Sequence, residues 1–99
     1  MIAQETINSI LDRSDIVEVV REHVPSLTKK GVDYVCCCPF HSERTPSFHV
    51  SPVRQTWHCF GACAEGGNVI TFLMRADGLT FPQAVQRLAE RYGIDFFEQ

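Results

Sequence analysis

The residues of this chain best equipped for chemistry come in two short pairs, Cys38-Pro39-Phe40-His41 and Cys59-Phe60-Gly61-Ala62-Cys63. Each pair is tight enough for one turn to offer both side chains to a single ion. The intervening residues, 42–58, suit short strands that bring the two turns together. Three thiolates and one imidazole form a donor set for tetrahedral zinc with no open position. The expected cofactor is therefore one structural Zn2+ held by Cys38, His41, Cys59 and Cys63. A zinc hydrolase needs a free position for activated water and a general base beside it, so no catalytic residue is expected here.

The remaining two of the five cysteines, Cys36 and Cys37, alternate with Tyr34 and Val35 on an expected strand and read as small buried hydrophobes. A Cys37–His41 pair is the weaker alternative to Cys38–His41. Cys38 stands where the strand gives way to a turn, with Pro39 fixing the bend. The cysteine count is odd and no secretory signal precedes the cysteines, which argues against disulfides and for a reducing cytoplasm. Cys59 and Cys63 are one residue further apart than a C-x-x-C redox pair.

The elements that must position these ligands follow from periodicity. Ile7, Ile10 and Leu11 share one helical face, and Ile16, Val17 and Val20 continue it after a break at Ser14-Asp15. Asp15 and Glu18 have the spacing of a capping box, and Pro25 ends the helical stretch. Residues 27–37 read as a hairpin turning at Gly31-Val32. Ser47–Val50 and Arg54–Cys59 read as two more strands joined at Ser51-Pro52, and His49 and Trp57 are expected as cross-strand neighbours. Gly66-Gly67-Asn68 starts a helix with an apolar stripe of Val69, Phe72, Leu73 and Ala76, ending at Gly78. Thr80 caps a last helix with Gln83 three residues on, closed by Gly93. Ile94–Phe97 is a candidate short strand. These stripes read as core, and so do Phe40 and Phe48. The fold class is α+β: an antiparallel zinc-ribbon sheet with N-terminal and C-terminal helices packed on it, as a single domain over residues 1–99.

The chain has 99 residues and a formal net charge of −3, so a metal cross-link is a plausible stabiliser of a modest core, and the charge argues against bulk electrostatic attraction to nucleic acid. No apolar run has membrane-spanning length. The charge is uneven, however. Residues 1–25 carry Glu5, Asp12, Asp15, Glu18 and Glu22 against Arg13 and Arg21, whereas residues 26–63 carry Lys29, Lys30, Arg44 and Arg54 against Asp33 and Glu43. Bases therefore gather beside the expected metal. Single strands are gripped by phosphate contacts and aromatic stacking, which makes Lys29, Lys30, Tyr34, Arg44, Arg54 and Trp57 the candidate nucleic-acid contacts. His23 ends a helix, where a cation suits the macrodipole. His58 points away from Cys59 on an extended segment.

The run C-P-F-H-S-E-R-T-P-S-F-H-V, followed by W-H-C-F-G and G-G-N-V-I-T-F-L-M, resembles the N-terminal zinc-binding domain of bacterial DnaG-type DNA primases. The resemblance extends to Asp15–Val20 and Leu79–Val85 and so covers nearly the whole chain. The family's second ligand pair is usually C-F-G-C. Here Ala62 is inserted, which marks a divergent member with a wider knuckle. The resemblance implies a module that binds single-stranded DNA template, assists initiation of the RNA primer and works beside a separate polymerase domain, with a replicative helicase as a further candidate partner. It implies no polymerase activity for this chain alone. The alternative from another class is a zinc-ribbon adaptor joining proteins in a replication or mobile-element complex.

Overall fold

The computed structural model describes residues 2–40, 45–61 and 63–95. Two helices open the chain, α1 (Gln4–Arg13) and α2 (Ile16–His23), parted at Ser14-Asp15 as the sequence predicts. The Ser14 N–H and hydroxyl both donate to the Ile10 carbonyl and close α1. The Asp15 carboxylate accepts from the N–H groups of Val17 and Glu18 and opens α2. Glu18 does not complete a capping box. Its carboxylate and that of Glu22 accept instead from the guanidinium of Arg91. That arginine lies on the last helix, α4 (Phe81–Tyr92), and so ties the helical layer together.

Five short strands form one antiparallel sheet in chain order: β1 (Thr28–Lys30), β2 (Asp33–Cys36), β3 (Phe48–Ser51), β4 (Thr56–Cys59) and β5 (Gly66–Gly67). β5 was not expected from sequence, because two glycines carry no alternation to read. Arg54 and Gln55, expected in a strand, belong to the β3–β4 turn. Gln55 there has φ 57°, and its side chain accepts from the Ile16 N–H and donates to the Pro52 carbonyl. Ile94 and Asp95 lie in no strand. Phe96 and Phe97 are outside the described residues.

Register decides which side chains meet. Cys36, Phe48 and Cys59 pair in one row, and Tyr34, Val50 and Trp57 in the next. Both rows face the helices. His49 is opposite His58, and Trp57 is opposite Val50, so the expected His49–Trp57 pairing does not occur. Cys36 is buried, and burial pushes its thiol up to about 11. Cys37, expected in the core, is exposed, because it falls one residue past the end of β2 where the alternation lapses.

The core is aromatic at its centre. Phe48 stacks on Trp57 with ring centroids 5.3 Å apart, and Phe72 of α3 (Val69–Asp77) meets both edge-on. The half-buried Phe40 packs edge-on against Phe48 and Trp57. The Trp57 indole N–H donates to the Asn68 carbonyl at 3.0 Å and to Thr71 Oγ1 at 3.2 Å, at the start of α3. Asn68 caps that helix, and Thr80 and Gln83 form the reciprocal capping box expected for α4. His23 bridges the Val19 carbonyl and the Asp77 carboxylate, joining α2 to the end of α3.

Gly66 is needed for space. A Cβ there would lie 2.8 Å from the Trp57 carbonyl and 2.7 Å from the His58 ring. Because one of those atoms is backbone, Gly66→Ala is expected to part β5 from β4 and cost about 1–3 kcal/mol, read as a lower urea midpoint.

Candidate metal centre and nucleic-acid interface

Strand ends and turns converge the sulfurs at one end of the sheet. Cys59 closes β4, Cys38 follows β2 and Cys63 follows the β4 turn. Their sulfur atoms all lie within 4.8 Å of one another, with Cys38 and Cys63 3.6 Å apart. Zn–S bonds of about 2.3 Å at tetrahedral angles place sulfurs about 3.8 Å apart, so this triangle already has the size of a zinc site. His41 and Ala62 lie outside the described residues.

The surroundings also suit thiolates. Burial and neighbouring sulfurs push the Cys38 thiol up to about 12. Burial acts the same way on Cys59, but hydrogen bonds from Cys63, the Gly61 N–H and Cys38 outweigh it and bring that thiol down to about 7. The Gly61 N–H lies 3.4 Å from the Cys59 sulfur. Ser47 supplies a further sign. Its hydroxyl is buried without a hydrogen-bond partner among the described residues, yet it favours the charged form of Cys59. A thiolate held by a cation gives that hydroxyl an acceptor. The donor set thus fits one structural zinc, which would cross-link β2, β4 and the following turn.

The candidate nucleic-acid contacts separate into distinct places. Trp57 is 2 % exposed and walled in by Phe48, Phe40 and Phe72, so it has no face for a base and is corrected here to a core residue. Tyr34 is half-buried on the helix side of the sheet, with the Arg21 guanidinium 5.3 Å from its ring centroid. Lys29 pairs with Tyr34 in the ladder and lines the same crevice beside α2. Lys30 and Arg54 are exposed, and Arg54 lines the open face of the sheet. Arg44 lies outside the described residues.

Three residues not counted among the candidate contacts occupy that open face. Phe60 is 69 % exposed and meets the His49 ring at 5.0 Å and the His58 ring at 4.4 Å between centroids. They edge a trough of about 640 Å³ whose walls include Asp33, Ser51, Arg54 and Thr56. The signal was present in the sequence. Trp57 and Cys59 are two apart on one strand and must share a face, and a buried ligand puts that face inside, leaving His58 outside.

The chain matches the CHC2 zinc finger model of DnaG zinc ribbons over residues 2–99 and belongs to that family. It is 53 % identical over 95 residues to a DNA primase of Pseudomonas aeruginosa, covering 96 % of this chain and 14 % of that protein. It is 50 % identical over 94 residues to a DNA primase of Neisseria meningitidis, covering 95 % of this chain and 16 % of that protein. The crystal structure of the Aquifex aeolicus primase, comprising zinc-binding and RNA polymerase domains, superposes with a TM-score of 0.85 at 40 % identity. That match covers 91 % of this chain and 22 % of the other. The chain therefore has the fold of a primase zinc-binding domain and spans about one-sixth or less of the curated relatives' length. No helix among the described residues is long and apolar enough to cross a membrane.

Proposed function

We propose that residues 1–99 form a single template-binding zinc domain of a DNA primase, which grips single-stranded DNA on its open sheet face and assists initiation of the RNA primer. One zinc held by Cys38, His41, Cys59 and Cys63 fixes the frame of that face. The observation that carries the reading is the exposed Phe60 between His49 and His58, over a trough lined by Arg54 and by Asp33, whose ladder partner is Lys30. Bases stack on such rings without regard to sequence, while the cations hold phosphates. Nucleotidyl transfer belongs to a partner polymerase domain in this reading, and the chain alone makes no RNA. The primase relatives favour this role over a protein adaptor.

Titration of a fluorescent oligonucleotide tests it. Wild-type protein is expected to bind single strands in preference to duplex, with affinity falling as salt rises by about 0.7 log units per log unit of salt for each phosphate neutralised. Phe60→Ala is expected to lose about 1–3 kcal/mol of binding with zinc content unchanged. A Lys30→Ala/Arg54→Ala double variant should flatten the salt dependence. Equal affinity in all three proteins, or no binding at low salt even beside the polymerase domain, sinks the template role.

A further inference from the structure

The two metal knuckles stand on different strands, yet one side chain of the helical layer reaches both. Arg75, on α3, lays its guanidinium 4.9 Å from the centre of the Phe40 ring. Phe40 falls between Cys38 and His41, inside the first ligand pair. The same guanidinium donates to the Glu65 carboxylate at 2.7 Å. Glu65 is two residues beyond Cys63, and its carbonyl accepts the backbone N–H of Cys59 at 2.8 Å. Arg75 therefore touches one side chain from each of the two segments that flank the sulfur triangle.

We infer that Arg75 is a positioning residue for the zinc centre, a clamp that holds the first and second knuckles at ligating distance through Phe40 and Glu65. The inference rests on the zinc centre and is independent of strand binding. A planar guanidinium suits the task, because it stacks on a ring with its face while its edge donates to a carboxylate. Lysine can keep the ion pair and lose the stacking. Both charged partners are about two-fifths exposed, so the clamp acts on the geometry and lifetime of the site more than on the stability of the fold. Outer partners of metal ligands commonly change metal affinity by about 10- to 100-fold, and this half-exposed one belongs at the lower end.

The test measures zinc release from the loaded protein into excess chromophoric chelator under reducing conditions. Arg75→Ala is expected to speed release about 10-fold, with Arg75→Lys between it and wild type. Glu65→Gln should speed release less than Arg75→Ala, and adding it to Arg75→Ala should change little, since Arg75→Ala has already removed the contact that Glu65→Gln breaks. Arg87→Ala is the control. It removes another half-exposed arginine pair, to Asp77, away from the knuckles, and should leave release at the wild-type rate. If Arg75→Ala does not fold, Arg75→Lys and Glu65→Gln decide the matter by the same readout. Release unchanged in the Arg75 and Glu65 variants, or accelerated equally by Arg87→Ala, overturns the clamp. Wild-type protein that takes up no zinc overturns the metal centre and the clamp together.

Discussion

Removal of zinc is expected to unfold the sheet while α3 and α4 persist in part. The metal joins the end of β4, the segment after β2 and the turn beyond β4, and it cross-links strands of at most four residues. Structural zinc in finger peptides is worth about 10–16 kcal/mol near neutral pH, comparable with the whole stability of a small domain. Hydrogen exchange during chelation under reducing conditions should show protection lost across β2, β3 and β4 before it is lost in α4, whose capping box and αL cap at Gly93 are independent of the metal. Cys63→Ser should bind zinc far more weakly and resemble the chelated protein. Acid should release the metal, because each ligating thiol must first lose a proton and burial makes that hard for Cys38. Unchanged protection of β2–β4 after complete zinc removal is the result that would show another force holding the sheet.

Trp57→Ala is expected to destabilise the fold by about 3–5 kcal/mol, the cost of emptying a large aromatic site in a packed core. The indole is enclosed by three other rings, and its N–H serves two oxygens at the start of α3. Trp57→Phe keeps much of the packing but leaves the Asn68 carbonyl and Thr71 hydroxyl without that donor, at about 1–3 kcal/mol. Urea melts of zinc-loaded protein measure both changes. Where Trp57→Phe remains folded, its affinity for an oligonucleotide should match wild type, whereas Phe60→Ala should bind less well and melt normally. The reverse pattern would return Trp57 to the surface role.

The metal residues were legible because ligand pairs at turn spacing have few other uses, and three of them converge as read. His41 lies outside the described residues. The helices were legible where several signals agreed. In α4 the Thr80–Gln83 box, the stripe through Ala84, Val85, Leu88 and Ala89, and Gly93 all mark the same element. Four of the five strands were read along the chain, but β5 was missed and the phase of β4 was left open. Strand alternation sorts residues into two faces without saying which is inside, and Trp57 and His58 were separated only by linking the strand's phase to Cys59. Phe60 was missed for a related reason. It stands past the end of β4, where period 2 no longer applies, and an apolar ring is ordinarily assigned to the core. Lys29 and Tyr34 belong to the other face from Lys30, a distinction that charge clustering along the chain does not carry.

The helical layer has a practical consequence for handling the protein. The Asp15 N–H donates to the Tyr92 hydroxyl at the end of α4, and Gly93, Ile94 and Asp95 border a cavity shared with Glu5, Thr6, Ser9 and Arg13 of α1. α1 and the residues after α4 thus lie side by side in the helical layer, whereas His49, His58 and Phe60 stand on the open face of the sheet. A fluorophore, affinity handle or surface tether carried by an exposed side chain of that seam, such as Arg13, attaches away from those rings. Immobilised in that way, the domain presents its open face to solution, and probe and oligonucleotide do not compete for the same ground.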